Sequence, residues 1–170
     1  MLLHKRYFFI AAASLFLLMG CSKDNGSSFN SYLRGKIDGV AFECTSGITA
    51  NTPETISGPA DPTIRITGNW LNNSIRLMII SESSSLASGV YPFDANKNRS
   101  GTLYLGADAY YAGPTGGGLT GLPLTLKGSG SITITEVSKQ YVKGSFQFTS
   151  GPNNSVTKSV TEGDFYVKRN

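Results

Sequence analysis

The stretch Thr63 to Ile79, TIRITGNWLNNSIRLMI, alternates in steps of two. Ile64, Ile66, Gly68 and Trp70 fall on one side and Arg65, Thr67 and Asn69 on the other; beyond Asn72-Asn73, Ile75, Leu77 and Ile79 repeat the pattern around Arg76. A strand turns successive side chains to opposite faces, whereas a helix groups residues three and four apart, so the stretch predicts two half-buried strands joined by a tight turn. The Asn72-Asn73 pair suits that turn, because asparagine tolerates the left-handed backbone of a two-residue hairpin.

The same period runs through most of the chain. Leu33-Arg34-Gly35-Lys36-Ile37 and Val40-Ala41-Phe42 flank Asp38-Gly39, a second hairpin turn. Ile132 and Ile134 alternate with Thr133 and Thr135; Val142, Phe146 and Phe148 with Lys143, Ser145, Gln147 and Thr149; Phe165 and Val167 with Tyr166 and Lys168. Beyond the first twenty residues, helical amphipathicity is not sustained over any stretch of ten. The expectation is an all-β fold, an antiparallel β-sandwich or partly open barrel of about eight to ten strands. Glu162-Gly163-Asp164 reads as a further turn. Thr45 to Pro62 and Gly106 to Gly121, the latter holding Tyr110-Tyr111 and the Gly116-Gly117-Gly118 run, read as long connections, which are uncommon unless functional or disordered.

The N-terminus has a different grammar. His4-Lys5-Arg6 precedes an apolar run from Tyr7 to Met19 broken only by Ser14, too short for the roughly 20 residues of a spanning helix but right for an export signal. Leu18-Met19-Gly20-Cys21 resembles the lipobox of bacterial lipoproteins, which implies cleavage between Gly20 and Cys21 and acylation of Cys21. Several acyl chains, each buried CH₂ contributing about 0.8 kcal/mol, would anchor the chain to a membrane durably. Residues 1–20 are thus expected to be signal peptide, 21–30 a lipidated flexible tether, polar in SKDNGSSFN, and 31–170 a single all-β domain. Ser22-Lys23-Asp24 resembles the charged signal that follows the lipidated cysteine in surface-exposed lipoproteins of the Bacteroidota. That implies a lipid-anchored, surface-exposed place on the cell outer membrane, with a periplasm-facing anchor as the alternative.

Cleavage would also remove chemistry. Net charge falls from +4 to +2 as Lys5 and Arg6 leave, which does not support a nucleic-acid footprint. His4 is the sole histidine, so without it there is no imidazole for a Ser-His-Asp or Cys-His arrangement. With Cys21 lipidated, Cys44 has no partner for an internal disulfide, and it shares a strand face with Phe42, so it reads as a buried, inert thiol. The glycine run lacks the GxxxxGK[ST] phosphate pattern. No cofactor and no metal is expected: Asp61, Asp94 and Asp108 lie in loops but form no dense DxDxDG cluster.

Carboxylates remain, namely Asp38, Glu43, Asp94, Asp108, Glu136, Glu162 and Asp164, any two of which could serve a glycosidase if brought face to face across a cleft. No catalytic residue is assigned. Trp70, Tyr110 and Tyr111 are the candidate ligand-binding residues, since exposed aromatic faces flanked by Asn and Asp suit stacking on sugar rings or packing on a partner protein.

Taken together, Lys36-Ile37-Asp38-Gly39-Val40-Ala41-Phe42, Ser88-Gly89-Val90-Tyr91-Pro92, Gly130 to Thr135, Val142 to Phe148 and Thr161 to Phe165 resemble a group of uncharacterised single-domain lipoproteins of the Bacteroidota over most of Tyr32 to Asn170. The resemblance implies a fold and no assigned activity. Three functions are compatible with these residues: a non-catalytic surface binding or accessory module for a glycan or protein, a carboxylate-based hydrolase acting on glycans, and a structural envelope component assembling through strand edges.

Overall fold

The computed structural model describes residues 30–51, 63–80, 85–115 and 125–170. The expected signal and lipobox and most of the expected tether lie outside these residues, as do Asp61 and the triple glycine. The described residues form two antiparallel sheets that stay open at their edges and pack face to face, which makes the fold a β-sandwich and removes the barrel alternative. Among the described residues there are twelve strands, against the expected eight to ten.

Sheet A is built from β1 (Tyr32–Ile37), β2 (Val40–Glu43), β6 (Gly89–Pro92), β10 (Ser129–Val137), β11 (Tyr141–Thr149) and β12 (Ser159–Lys168), in the order β2-β1-β12-β11-β10-β6. Sheet B is built from β3 (Ser46–Asn51), β4 (Thr63–Trp70), β5 (Asn73–Ile80), β7 (Arg99–Leu105), β8 (Asp108–Thr115) and β9 (Thr125–Lys127), in the order β3-β4-β5-β7-β8-β9. The extra strands come from the supposed long connections. Thr45 to Pro62 contains β3, and Gly106 to Gly121 contains β8, which returns from β7 through a tight turn at Gly106-Ala107.

The alternation decides which side of each strand is buried. Ile64, Ile66, Ile75, Leu77, Ile79 and Leu103 of sheet B meet Leu33, Ile132, Ile134, Val142, Phe146 and Phe165 of sheet A. Each such side chain contributes roughly 1.5–3 kcal/mol on burial, enough for the interior to hold without a cross-link. Cys44 is buried there as a free thiol, and Gly68 clears room for it: a Cβ at position 68 would stand 2.7 Å from the Cys44 Sγ.

Two turns differ from expectation. The β4–β5 hairpin turns on Leu71-Asn72, one residue early, because Trp70 pairs with Asn73 and both remain in the ladder. Glu162-Gly163-Asp164 is no turn. It is a bulge inside β12, with Glu162 at φ 51 and the register to β1 and β11 slipping around it. Asp38-Gly39 does form the expected hairpin turn, with φ values of 49 and 84.

Candidate functional site

The outer face of sheet A carries the densest chemistry among the described residues. Alternation sends Leu33, Val142, Phe165 and Val167 inward, so Tyr32, Arg34 and Lys36 of β1, Tyr141 and Lys143 of β11, and Asp164, Tyr166 and Lys168 of β12 point outward. Pairing of the first strand with the last then sets Tyr32 opposite Tyr166 and Arg34 opposite Asp164. The Tyr32 and Tyr166 rings stack at 6.2 Å, and Tyr141 packs against Tyr166 at 4.8 Å. The Arg34 guanidinium lies 4.7 Å from the Tyr32 ring centroid and pairs with Asp164 at 3.0 Å.

The bulge at Glu162 re-aims its carboxylate toward Lys36, 2.8 Å away. Arg34, Lys36, Phe42, Glu43, Glu162 and Asp164 line a shallow depression of about 520 Å³. Two smaller depressions lie along the same face: one of about 290 Å³ edged by Ser131, Thr133, Ser145 and Gln147, and one of about 140 Å³ edged by Ser129, Thr149, Ser159 and Thr161. The face is therefore an open track with charges toward β1 and hydroxyls toward β10.

Electrostatics make this face a donor and acceptor surface. Burial, and then the Asp164 carboxylate, pushes the Tyr32 phenol up, and the hydrogen bond to Glu136 pushes the Tyr141 phenol up, so both remain neutral donors at physiological pH. The carboxylates singled out from the sequence are mostly held by donors. Asp164 is held by Arg34 and by the Tyr32 hydroxyl at 3.4 Å, Glu162 by Lys36, Glu136 by Tyr141, and Asp38 by Lys158 at 2.7 Å and the Ser159 amide at 2.9 Å. Asp94 accepts the Asn96 amide two residues on, and Asp108 faces the Asn153 amide group at 3.5 Å. Three of them, Glu43, Glu162 and Asp164, do line one depression. Among the described residues, no group of three or more His, Cys, Asp or Glu converges as a metal site.

The three aromatics chosen from the sequence do not share a surface. Trp70 is half-buried and stacks on Phe42 at 4.7 Å, packed against the core. Tyr110 is buried in β8, with the Lys158 ammonium 6.0 Å from its ring. Tyr111, the next residue of the same strand, faces the other way, and its hydroxyl donates to the Pro114 carbonyl at 2.8 Å. Sequence reasoning missed Tyr32, Tyr141 and Tyr166. Their signal was present as outward parity on three strands, but their meeting depends on β1 pairing with β12 across more than a hundred residues.

Fold and face together define a two-sheet antiparallel β-sandwich module with one polar, tyrosine-bearing outer face. The model of the DUF6252 family, a domain of unknown function, matches residues 30–167, and the chain belongs to that family. No curated protein and no solved structure matches it.

Proposed function

We propose that the chain is a lipid-anchored envelope protein whose sandwich is a non-catalytic binding module, displayed on the outer membrane with the outer face of sheet A as its binding surface. The observation that carries this reading is the run of three depressions along one sheet face, edged by charged and hydroxyl side chains. A shallow track rich in hydroxyls and fixed charges suits an extended, hydroxylated ligand, which favours a glycan over a compact substrate. The engagement of Asp164, Glu162 and Glu136 by neighbouring donors favours binding over acid–base hydrolysis. Surface display is supported by Ser22-Lys23-Asp24 after the lipobox.

The full chain and its Arg34→Ala/Lys36→Ala variant on a glycan array test the reading. Binding to a glycan class that falls at least tenfold in the variant supports it; a ligand held equally by both, or no glycan ligand at all, sinks the assignment of this face. Protease accessibility on intact cells separates outward display from a periplasm-facing anchor.

A further inference from the structure

The point where the tether joins the domain coincides with a concentration of cations. Nine residues separate Cys21 from Ser31, so the domain can stand at most about 35 Å from the anchoring residue. The Ser31 hydroxyl accepts the Lys168 amide at 3.0 Å, which pins the start of the domain beside the end of β12. At that corner Lys168 and Lys143 point outward from β12 and β11, and Lys139 sits in the turn between β10 and β11, all three exposed. The Arg169 guanidinium donates to the Ser138 carbonyl at 2.7 Å and its amide to the Gln140 carbonyl at 2.8 Å, so the turn and the last strand form one rigid unit.

Acidic compensation is partial. Glu136 stands opposite Lys143 in the ladder and keeps its charge while accepting from the Tyr141 hydroxyl, whereas Asp164 is taken by Arg34, and among the described residues no carboxylate reaches ion-pair distance of Lys139, Lys143 or Lys168. Tyr32, Tyr141 and Tyr166 border these cations with rings that are apolar in body and polar at the tip, the composition that settles at headgroup level.

We propose that this corner is a membrane-docking surface that rests on the phosphates of an anionic lipid leaflet and fixes the orientation of the sandwich on its anchor. The occupant follows from the short tether and from the sign of the charge. A cationic corner held within a few tens of ångströms of a bilayer gains by contact with it, each lysine multiplying the docked-to-free ratio by about fivefold at an anionic surface. Docking there would leave the Asp38-Gly39 end of the same sheet face pointing away from the membrane, open to a ligand.

The proposal rests on the anchor reading, and one experiment separates the two. The full chain carrying azidophenylalanine in place of Gln140 is labelled at that exposed turn with an alkyne fluorophore, which spares Cys21 and Cys44 alike, and reconstituted into phosphatidylcholine vesicles with or without one quarter phosphatidylglycerol and with a headgroup quencher in both. Mass spectrometry of the N-terminal peptide reports independently whether Cys21 carries lipid. The expected result is quenching in anionic but not neutral vesicles, weakened in 1 M salt and reduced more than a hundredfold in docked-to-free ratio by Lys139→Glu/Lys143→Glu/Lys168→Glu. Lys127→Glu, the last residue of β9 and just ahead of the far end of β10, leaves it unchanged. Continued resistance of Cys44 to alkylation shows that the triple variant is folded. Equal quenching in both vesicles, or quenching untouched by the triple reversal, overturns the docking surface whether or not Cys21 is lipidated; an unmodified Cys21 with quenching intact overturns the anchor and leaves the docking surface standing.

Discussion

Cys44, Gly68 and Asp38 show how much single positions report about this fold. Burial pushes the Cys44 thiol up to about 12, so at pH 8 it is an un-ionised and sheltered group. Iodoacetamide should leave it unmodified in the native protein and alkylate it within minutes in denaturant, as followed by intact mass. A methyl at position 68 would meet the Cys44 sulfur at 2.7 Å and Leu33 Cδ2 at 2.9 Å, so Gly68→Ala should cost about 1–3 kcal/mol in urea unfolding. Asp38 is held below the usual carboxylate range by Lys158 first and the Ser159 amide second. A group with a depressed folded pKa adds stability above its unfolded value, about 3.9, and that stability disappears as pH falls through the folded value. Asp38→Asn should therefore flatten the fall of melting temperature between pH 4 and pH 2 while leaving the left-handed turn intact.

At the level of strands and turns, the β4–β5 hairpin is the clearest case of local sequence and tertiary structure disagreeing by one residue. The ladder keeps Trp70 against Phe42 and Asn73 in register, and the turn then falls on Leu71, which is 93% exposed at φ 50. Left-handed backbone costs a branched L-residue about 1–2 kcal/mol, and glycine returns part of that gain through its freer unfolded chain. Leu71→Gly should thus stabilise by up to about 1 kcal/mol in chemical unfolding. Period-two alternation makes β1, β2, β10, β11, β12 and the β4–β5 pair legible, and Asp38-Gly39 marks its own turn. It hid β3 and β8 because Gly47, Gly106 and Gly113 read as loop residues, although each serves a strand end, a tight turn or a close approach: a Cβ at position 113 would lie 2.6 Å from Ser100 Cβ. Tyr110 and Tyr111 read as loop residues for that reason, whereas strand geometry sends them to opposite faces.

For the whole molecule, the decisive contact is the one least visible in the sequence. β12 lies between β1 and β11, so the last strand joins the two halves of sheet A and assembles both the tyrosine ladder and the Arg34–Asp164 pair. A chain stopped at Lys158 should lose cooperative thermal unfolding altogether, because β1 and β2 are then left as an isolated hairpin with one face of the core uncovered. Parity along each strand was readable, but which strands adjoin was not, and the outer face of sheet A exists only through that adjacency. In the proposed function, attachment at Cys21 is what would bring the binding face to the cell surface and the docking corner within reach of a bilayer, which makes the anchor the central claim. Intact-mass analysis of the protein extracted from its native membrane tests it most directly. The account predicts a chain that begins at Cys21 and carries acyl-glyceryl mass on that residue; a chain that retains Met1, or a mature N-terminus with Cys21 unmodified, would contradict it.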